Sequence, residues 1–429
     1  MAKTRVIAGI DIGSSKIATL IAQFNEEEER VSVVGVSSIP SKGVRKGQIV
    51  DIDEAASSIG ESVEKAERMA GYSLDRAYVT VSGGHIDSQN SHGVVAVSDP
   101  SGEIEPSDVE RVIDAARAVS LPESREILHV LPKEYKVDGE TLVKNPEGMS
   151  GVRLEVETHL ITGSSAASKN ITKAVGEVGV QVEELVFAGL ASSISVLSET
   201  EKELGVVLID IGGGTTSIAA YLEGALIYSA VLPIGGKNVT NDIAAGLRVS
   251  LDSAEKIKLA LGIAASKDKD FLYSGEDDLD LETLGIEETE RKISKKTVVD
   301  GIMRPRLNEI FNMVAGNLST SGVAGRTPSG IVVTGGAAQT LGAIDAAKRM
   351  LALPARLGTP RGLTGLIDEI GNPVYSASCG LLLYGAKARP ASAQSWLGGL
   401  GGNMIPKMDN LPGRGLVSKV SEIIKNLLP

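Results

Sequence analysis

The hydrophobic pattern of this chain is a series of short apolar runs that end in glycine. Val206, Val207, Leu208 and Ile209 follow one another without a polar interruption, which predicts a strand buried on both faces. The run breaks at Asp210-Ile211 into Gly212, Gly213 and Gly214, followed by Thr215 and Thr216. Arg5–Gln23 repeats the device: an apolar run, then Asp11-Ile12-Gly13-Ser14-Ser15-Lys16, then a second run, Ile17–Ala22. A third run, Ile331-Val332-Val333, ends in Thr334-Gly335-Gly336-Ala337. Two Ile-Asp-Ile-Gly turns so far apart predict an internal duplication, two α/β halves that each offer a strand–turn–strand unit to a shared cleft.

Between these turns the periodicity predicts a strand over Val31–Ile39, a turn into a strand over Gly43–Ile49, and a strand over Ala77–Val81. Ala56, Ile59, Val63 and Ala66 recur at helical spacing, so Asp53–Ala70 is a helix capped by Asp51 or Asp53. From His85 the character changes. An alternating stretch (His85–Ser98), a charged helix (Pro106–Val119), strands Arg125–Lys136 and Thr141–Val143, and a half-exposed strand (Gly151–Thr162) predict a small α+β insertion over 84–164. Helices Ala166–Val178 and Ala188–Glu203 flank a strand Gln181–Phe187, and Ala225–Leu232 is a further strand. Asn238–Ala245, Ser253–Leu261, Ile310–Leu318, Gly342–Leu351 and the small-residue stretch Ser376–Ala388 read as helices.

The C-terminal stretch has its own pattern. Pro390–Gly413 is rich in Gly, Pro, Ser and Asn and reads as a flexible linker. Beyond it, Leu416, Val420, Ile423, Ile424 and Leu427 fall on one helical face, joined by Val417 and Leu428. Such a helix is about 21 Å long, too short for a hydrocarbon core of about 30 Å. It fits either an in-plane membrane helix or one docked on protein.

Composition narrows the function classes. The chain has 429 residues, 42% of them hydrophobic and 23% charged, enough for about three domain-sized units of an ordinary globular protein. A net charge of −12 and 3% aromatic residues argue against nucleic acid as a partner. The single Cys379 and four histidines allow no intrachain disulfide and no zinc spacing, and the N-terminus lacks a signal-peptide pattern, so a cytoplasmic setting is expected. His129 and His159 read as structural.

The turns carry the chemistry. Glycines clear space for an anion, and their amides together with the following hydroxyls form a phosphate nest. Asp11 and Asp210 suit a hydrated Mg²⁺ on those phosphates, Lys16 adds a point charge, and Gly335-Gly336 leaves a flat surface for a planar base. The plain alternative is that each cluster is only a hairpin turn. The acidic stretch from Glu276 to Glu290 reads as a solvated surface. The basic one from Arg291 to Arg306 reads either as the same or as a rim for an acidic peptide.

The three turns in this order resemble the phosphate-1, phosphate-2 and adenosine motifs of the actin/Hsp70/sugar-kinase superfamily. Within it, GIDIGSSK, GMSGVRLEVETHLITGSSAASKNI (Gly148–Ile171), LVFAGLASSISVLSETEKELGVVLIDIGGGTTSIA (Leu185–Ala219) and IVVTGGAAQ resemble the bacterial cell-division family FtsA. The resemblance runs from Arg5 to the terminal helix. It implies a duplicated actin-like (ribonuclease H-like) α/β fold, two lobes around a nucleotide cleft with an inserted small α+β subdomain. It further implies a polymer that tethers the FtsZ ring at the cytoplasmic membrane face and recruits later division proteins. Subdomain 1A would comprise 1–83, 165–200 and 359–388, with 1C at 84–164. Subdomain 2A would comprise 201–237 and 301–358, with 2B at 238–300, a linker at 389–413 and a membrane-targeting helix at 414–429.

The implied ligand is ATP with Mg²⁺. It would be held by Asp11, Gly13, Ser14, Ser15, Lys16, Asp210, Gly212, Gly213, Gly214, Thr215 and Thr216, with Gly335, Gly336 and Ala337 on adenosine and Glu255 and Lys258 beside ribose and base. Asp11 and Asp210 would reach the metal through water. The FtsZ C-terminal tail would meet Arg304 and Arg306, inner-leaflet lipid the helix face of Leu416 to Leu428, and a second copy the body. Two departures stand out. Ala188-Gly189 replaces the acid-Pro pair with which vigorous hydrolases of the superfamily orient water, so weak or no ATP hydrolysis is implied. The terminal helix also carries no aromatic residue. A PilM-like pilus-assembly adaptor is the alternative, but its relatives lack a linker and helix like 390–428.

Overall fold

The apolar runs become the central strands of two sheets built in the same order. In the first half Thr4–Ile12 is central. Lys16–Asn25 and then Arg30–Pro40 continue antiparallel on one side, and Arg76–Val81 and then Gln181–Phe187 parallel on the other. In the second half Val206–Ile211 is central, followed by Thr216–Leu222 and Ala225–Leu232 on the antiparallel side and Ile331–Thr334 and Ala355–Leu357 on the parallel side. The duplication expected from the two Asp turns is thus a duplication of topology. The computed structural model describes residues 4–267, 277–287 and 292–388, so the linker and the helix face of Leu416, Val417, Val420, Ile423, Ile424, Leu427 and Leu428 lie outside the described residues. Among those described, no helix is long and apolar enough to cross a membrane.

The unbroken apolar run has a simple cause. Val206 and Leu208 belong to the core shared with the first half, whereas Val207 and Ile209 belong to the core under the second half's own helices. All four are fully buried, each worth about 1.5–3 kcal/mol by transfer. Two helices, Ala188–Val196 and Ser376–Lys387, cross where the halves meet. They pack so closely that a Cβ on Gly380 would overlap the Ala191 carbonyl, the close packing expected of the small-residue helix.

Several boundaries differ from expectation. The stretch expected as one helix over Ala188–Glu203 breaks at Leu197, and a second helix, Glu199–Leu204, starts from a Ser198 cap. Glu201 explains the break. Its Oε2 accepts from the Ser198 amide at 2.9 Å, while its carboxylate also receives Arg356 Nε at 2.7 Å and Nη2 at 2.8 Å. Burial pushes this acid up, but the guanidinium and the Ser198 donors outweigh it and hold it at about 2. Ser253–Leu261 lies within a longer helix, Leu251–Lys267, and Ile310–Leu318 within Arg304–Thr320. The short ladders Asp278–Asp280 with Lys292–Ser294, and Thr364–Gly365 on Arg30–Pro40, carry too few residues for a period.

The residues after Gly84 form a separate four-strand sheet in the order Asp87–Ala96, Arg153–Ser164, Arg125–Val137, Glu140–Val143. Helix Pro106–Arg117 covers one face. The strand expected to be half exposed alternates only at its start; Thr158 to Thr162 are all buried. This strand and its neighbours pack against Ala225–Leu232 of the second half. His159 Nε2 lies 3.1 Å from Ser229 Oγ, and Ser88 Oγ donates to the Ser229 carbonyl at 2.7 Å. His129 Nε2 accepts from the Phe187 amide of the first half at 3.0 Å. Both histidines are structural, as expected, and the inserted sheet is bonded to both halves.

That bonding makes the fold acid-sensitive. Burial pushes both imidazoles down to about 4, with Lys133 adding to the effect at His159. In the unfolded chain they titrate near about 6.5, so the unfolded chain takes up protons first as pH falls. Stability present above about 6.5 is therefore lost down to about 4, on the order of 1 kcal/mol per unit for each group. Denaturant midpoints measured at pH 7.5, 5.5 and 4.5 should fall steeply, and a His129→Gln/His159→Gln variant should show a flatter fall. An equal slope in the variant refutes the assignment.

Candidate functional site

The two Asp turns approach one another closely and both line a cavity of about 1080 Å³, near the upper end for small-ligand sites. Each is the same four-residue turn: the Gly13 amide donates to the Lys16 carbonyl at 3.0 Å, and the Gly212 amide to the Thr215 carbonyl at 2.9 Å. The helix Gly236–Leu247 then pins the second turn. Its Gly236 and Lys237 amides donate to the carbonyls of Gly212 and Gly213 at 2.9 and 2.8 Å. With those carbonyls held back, the amides of Ser14, Ser15, Gly213, Gly214 and Thr215 find no acceptor among the described residues. Unsatisfied amides at a cavity wall are costly unless water or an anion accepts from them.

The acids sit at the ends of the central strands. Asp11 Oδ1 accepts from Thr80 Oγ1 at 2.9 Å and its Oδ2 from Lys16 Nζ at 3.1 Å. Asp210 Oδ2 accepts from Ser192 Oγ at 2.5 Å. Burial pushes Asp210 up to about 6; the Asp11 carboxylate adds to this, and the Ser192 hydroxyl and Lys16 oppose it. A buried carboxylate whose neighbouring carboxylate raises its cost of ionisation marks a place where a cation is favoured. Among the described residues no group of three or more His, Cys, Asp or Glu forms a cage. The donor set therefore suits a cation that keeps water and takes further ligands from an anion.

The far end of the cavity lies between the third turn and helix Leu251–Lys267. Gly335 has φ +87°, and a Cβ there would run into Asp210 Oδ1, so only glycine lets this turn close on the acid. Gly335, Gly336 and Ala337 line one wall, and Glu255 and Lys258 the other. Lys258 Nζ bonds Glu255 Oε2 at 2.7 Å and Thr240 Oγ1 at 2.9 Å. Leu251, Leu259 and Ile263 also line it and stay 57, 54 and 57% exposed, an apolar face left open toward the cavity.

Asp11, Gly13, Ser14, Ser15, Lys16, Asp210, Gly212, Gly213, Thr215, Glu255, Lys258, Gly335, Gly336 and Ala337 are therefore brought to one cavity. Four other candidate residues are not. Thr216 is fully buried, its Oγ1 donating to the Ile234 carbonyl at 2.8 Å. Gly214 faces the first turn instead, where a Cβ would lie 2.7 Å from Ser14 Oγ; one on Gly213 would overlap Ser15. None of Gly212–Gly214 has a positive φ, so Gly213 and Gly214 serve the close approach of the two turns rather than a hairpin conformation. Arg306 is not a free rim cation: its Nε and Nη2 clasp Asp242 at 2.6 and 2.9 Å. Arg304 Nη2 pairs with Asp300 at 2.6 Å.

The pattern of the sequence missed Thr80, Ser192, Lys237 and the Leu259/Ile263 face. Thr80 and Ser192 carry no local signal, since each matters only through the acid it meets. Leu251, Leu259 and Ile263 share a helical face with Glu255, a pattern indistinguishable from core until the cavity is seen.

Comparison with known proteins adds family evidence. The description "SHS2 domain inserted in FTSA" matches residues 83–162, and "Cell division protein FtsA" matches 207–380. The cell division protein FtsA of Pseudomonas aeruginosa is 42% identical over 381 residues, covering 89% of each chain. That of Escherichia coli K12 is 37% identical over 391 residues, 90% of this chain and 91% of the relative. The Bacillus subtilis protein is 36% identical over 391 residues, 90% and 85%. Among solved structures, a PilM-PilN type IV pilus biogenesis complex superposes with a TM-score of 0.62 at 16% identity, over 89% of this chain and 99% of that chain. The ethanolamine utilization protein EutJ of Carboxydothermus hydrogenoformans follows at 0.50 and 15%, over 89% and 90%. These structural likenesses concern the duplicated actin-like fold alone.

Proposed function

This chain belongs to the FtsA family of cell-division proteins, and on that footing we propose that it binds ATP with Mg²⁺ and assembles on the cytoplasmic membrane face to tether the FtsZ ring. The observation that carries the nucleotide reading is the pair of facing turns whose amides find no acceptor among the described residues. The amides of Ser14, Ser15, Gly213 and Thr215, with Lys16, would hold the phosphates. Asp11 and Asp210 would hold Mg²⁺ through water, and the metal would neutralise charge on the phosphate oxygens. Gly335, Gly336 and Ala337 would take the adenosine against Leu259 and Ile263, whose exposed faces a planar base would cover, with Glu255 and Lys258 beside it. Thr216 has no part in this contact.

Ala188 stands where a hydrolytic relative carries an acid, so the nucleotide acts chiefly to hold a subunit in shape for assembly. The FtsZ tail, an acidic peptide in this reading, would reach Arg304 and Arg306 by exchanging with Asp300 and Asp242. Leu416, Val417, Val420, Ile423, Ile424, Leu427 and Leu428 would form the lipid-facing side of the terminal helix. A single short helix of this kind binds weakly, and many copies in one polymer multiply the effect.

Electron microscopy of the protein with ATP on a lipid monolayer tests the reading. Filaments are expected for the full chain and none for a chain ending at Ala388. In vesicle co-sedimentation, Ile423→Asp should remove lipid binding and leave ATP binding intact; unchanged sedimentation sinks the membrane role. The PilM-like alternative is not favoured, since that likeness stands at 16% identity against 36% and more for the FtsA relatives.

A further inference from the structure

Three lysines line the cavity: Lys16, Lys237 and Lys258. Two of them already have a carboxylate. Lys16 Nζ sits on Asp11 at 3.1 Å, and Lys258 Nζ on Glu255 at 2.7 Å. Lys237 differs. Its Nζ donates at 2.6 Å to the carbonyl of Ser14, a neutral group of the opposite half, and among the described residues no acid pairs with it. The same residue's amide holds the Gly213 carbonyl at 2.8 Å. Its ammonium is therefore tethered between the two turns, beside the acceptor-free amides of Ser14 and Gly213.

We infer that Lys237 is a ligand of the phosphate chain, reaching it from the second half by leaving the Ser14 carbonyl. This rests on the nucleotide reading above and adds to it a residue that the turn motifs do not contain. The physical reason is the exchange of partner. A cation on a neutral carbonyl trades it for an ionised oxygen, and such charge-assisted bonds are shorter and about twice as strong. An anion seated on the Ser14 and Gly213 amides lies within the sweep of a four-carbon side chain already anchored at that turn. The exchange also removes one tie between the halves and replaces it with a tie through the ligand, so occupancy by phosphate and contact between the halves become linked. A charged hydrogen bond of this kind is worth roughly tenfold or more in affinity.

Isothermal titration with Mg-ATP, Mg-ADP and adenosine tests this on the full chain, Lys237→Gln and Lys237→Arg. Glutamine is one atom shorter, keeps a donor on the Ser14 side and loses the charge. Lys237→Gln should bind ATP and ADP roughly tenfold more weakly while adenosine affinity stays within about twofold, and Lys237→Arg should recover most of the loss. An equal loss for adenosine assigns Lys237 a structural role and overturns the inference, as does a glutamine variant that binds ATP like the native chain. A native chain that binds none of the three overturns the nucleotide reading and this inference with it. Matching melting temperatures of the ligand-free chains exclude misfolding as the cause.

Discussion

Replacing Gly213 by valine is expected to weaken ATP binding on the order of 100-fold while each half stays folded. Gly213 is not in a left-handed conformation, so the effect is one of room. A Cβ at this position would overlap the Ser15 side chain of the facing turn. Ser15 cannot retreat freely, because its carbonyl is held by the Ser41 amide at 3.0 Å and its turn closes a hairpin of the buried first sheet. The halves must therefore part, and overpacking of this type costs about 1–3 kcal/mol, a factor of about 5 to 150 in affinity. Gly212 supplies the internal control. Its Cβ would meet only Thr215 of its own turn, with the nearest atom at 3.3 Å, so Gly212→Ala should cost no more than a few-fold. Titration calorimetry of both variants decides the matter: equal affinities for Gly213→Val and the native chain would mean that the turns do not need to touch.

The second large effect is on stability. Gly380→Leu should destabilise the whole body by about 3 kcal/mol or more, and Gly380→Ala by somewhat less. Any side chain at 380 drives into the Ala191 backbone of the neighbouring helix, and both residues lie where the two halves meet. The same helix brings Gly385 against the Tyr78 ring and sets Leu381 against Gly9 at 2.8 Å from its would-be Cβ, so the helix cannot shift to relieve the clash. Gly316 offers the opposite expectation. It lies exposed inside helix Arg304–Thr320 with nothing within 4 Å of a Cβ, so Gly316→Ala should stabilise by about 0.5–1 kcal/mol through helix propensity. Denaturant titrations of the three variants give the signs. A Gly380→Leu chain as stable as the native one would show that the two helices are not the joint between the halves.

What the sequence by itself determined is whatever depends on neighbours along the chain. The central strands were legible because a strand buried on both faces needs an unbroken apolar run, as Val206–Ile209 has. The helix Ile52–Ala70 was legible because Asp51 caps it and its apolar residues keep helical spacing. The turns at Asp11, Asp210 and Gly335 were legible because few other residues allow backbone so close to other groups. Tertiary structure decided what depends on partners far along the chain. The ion pair that holds Glu201 needs Arg356, 155 residues away. The ion pairing of Arg306 needs Asp242, 64 residues away. The work of Gly213 and Gly214 needs the facing turn, and the free charge of Lys237 needs Ser14, 223 residues away. Periodicity reports how much of a side chain is buried; it carries no record of which charge or carbonyl folds against it, and that pairing sets whether a lysine or a glycine serves the ligand, the joint or only the fold.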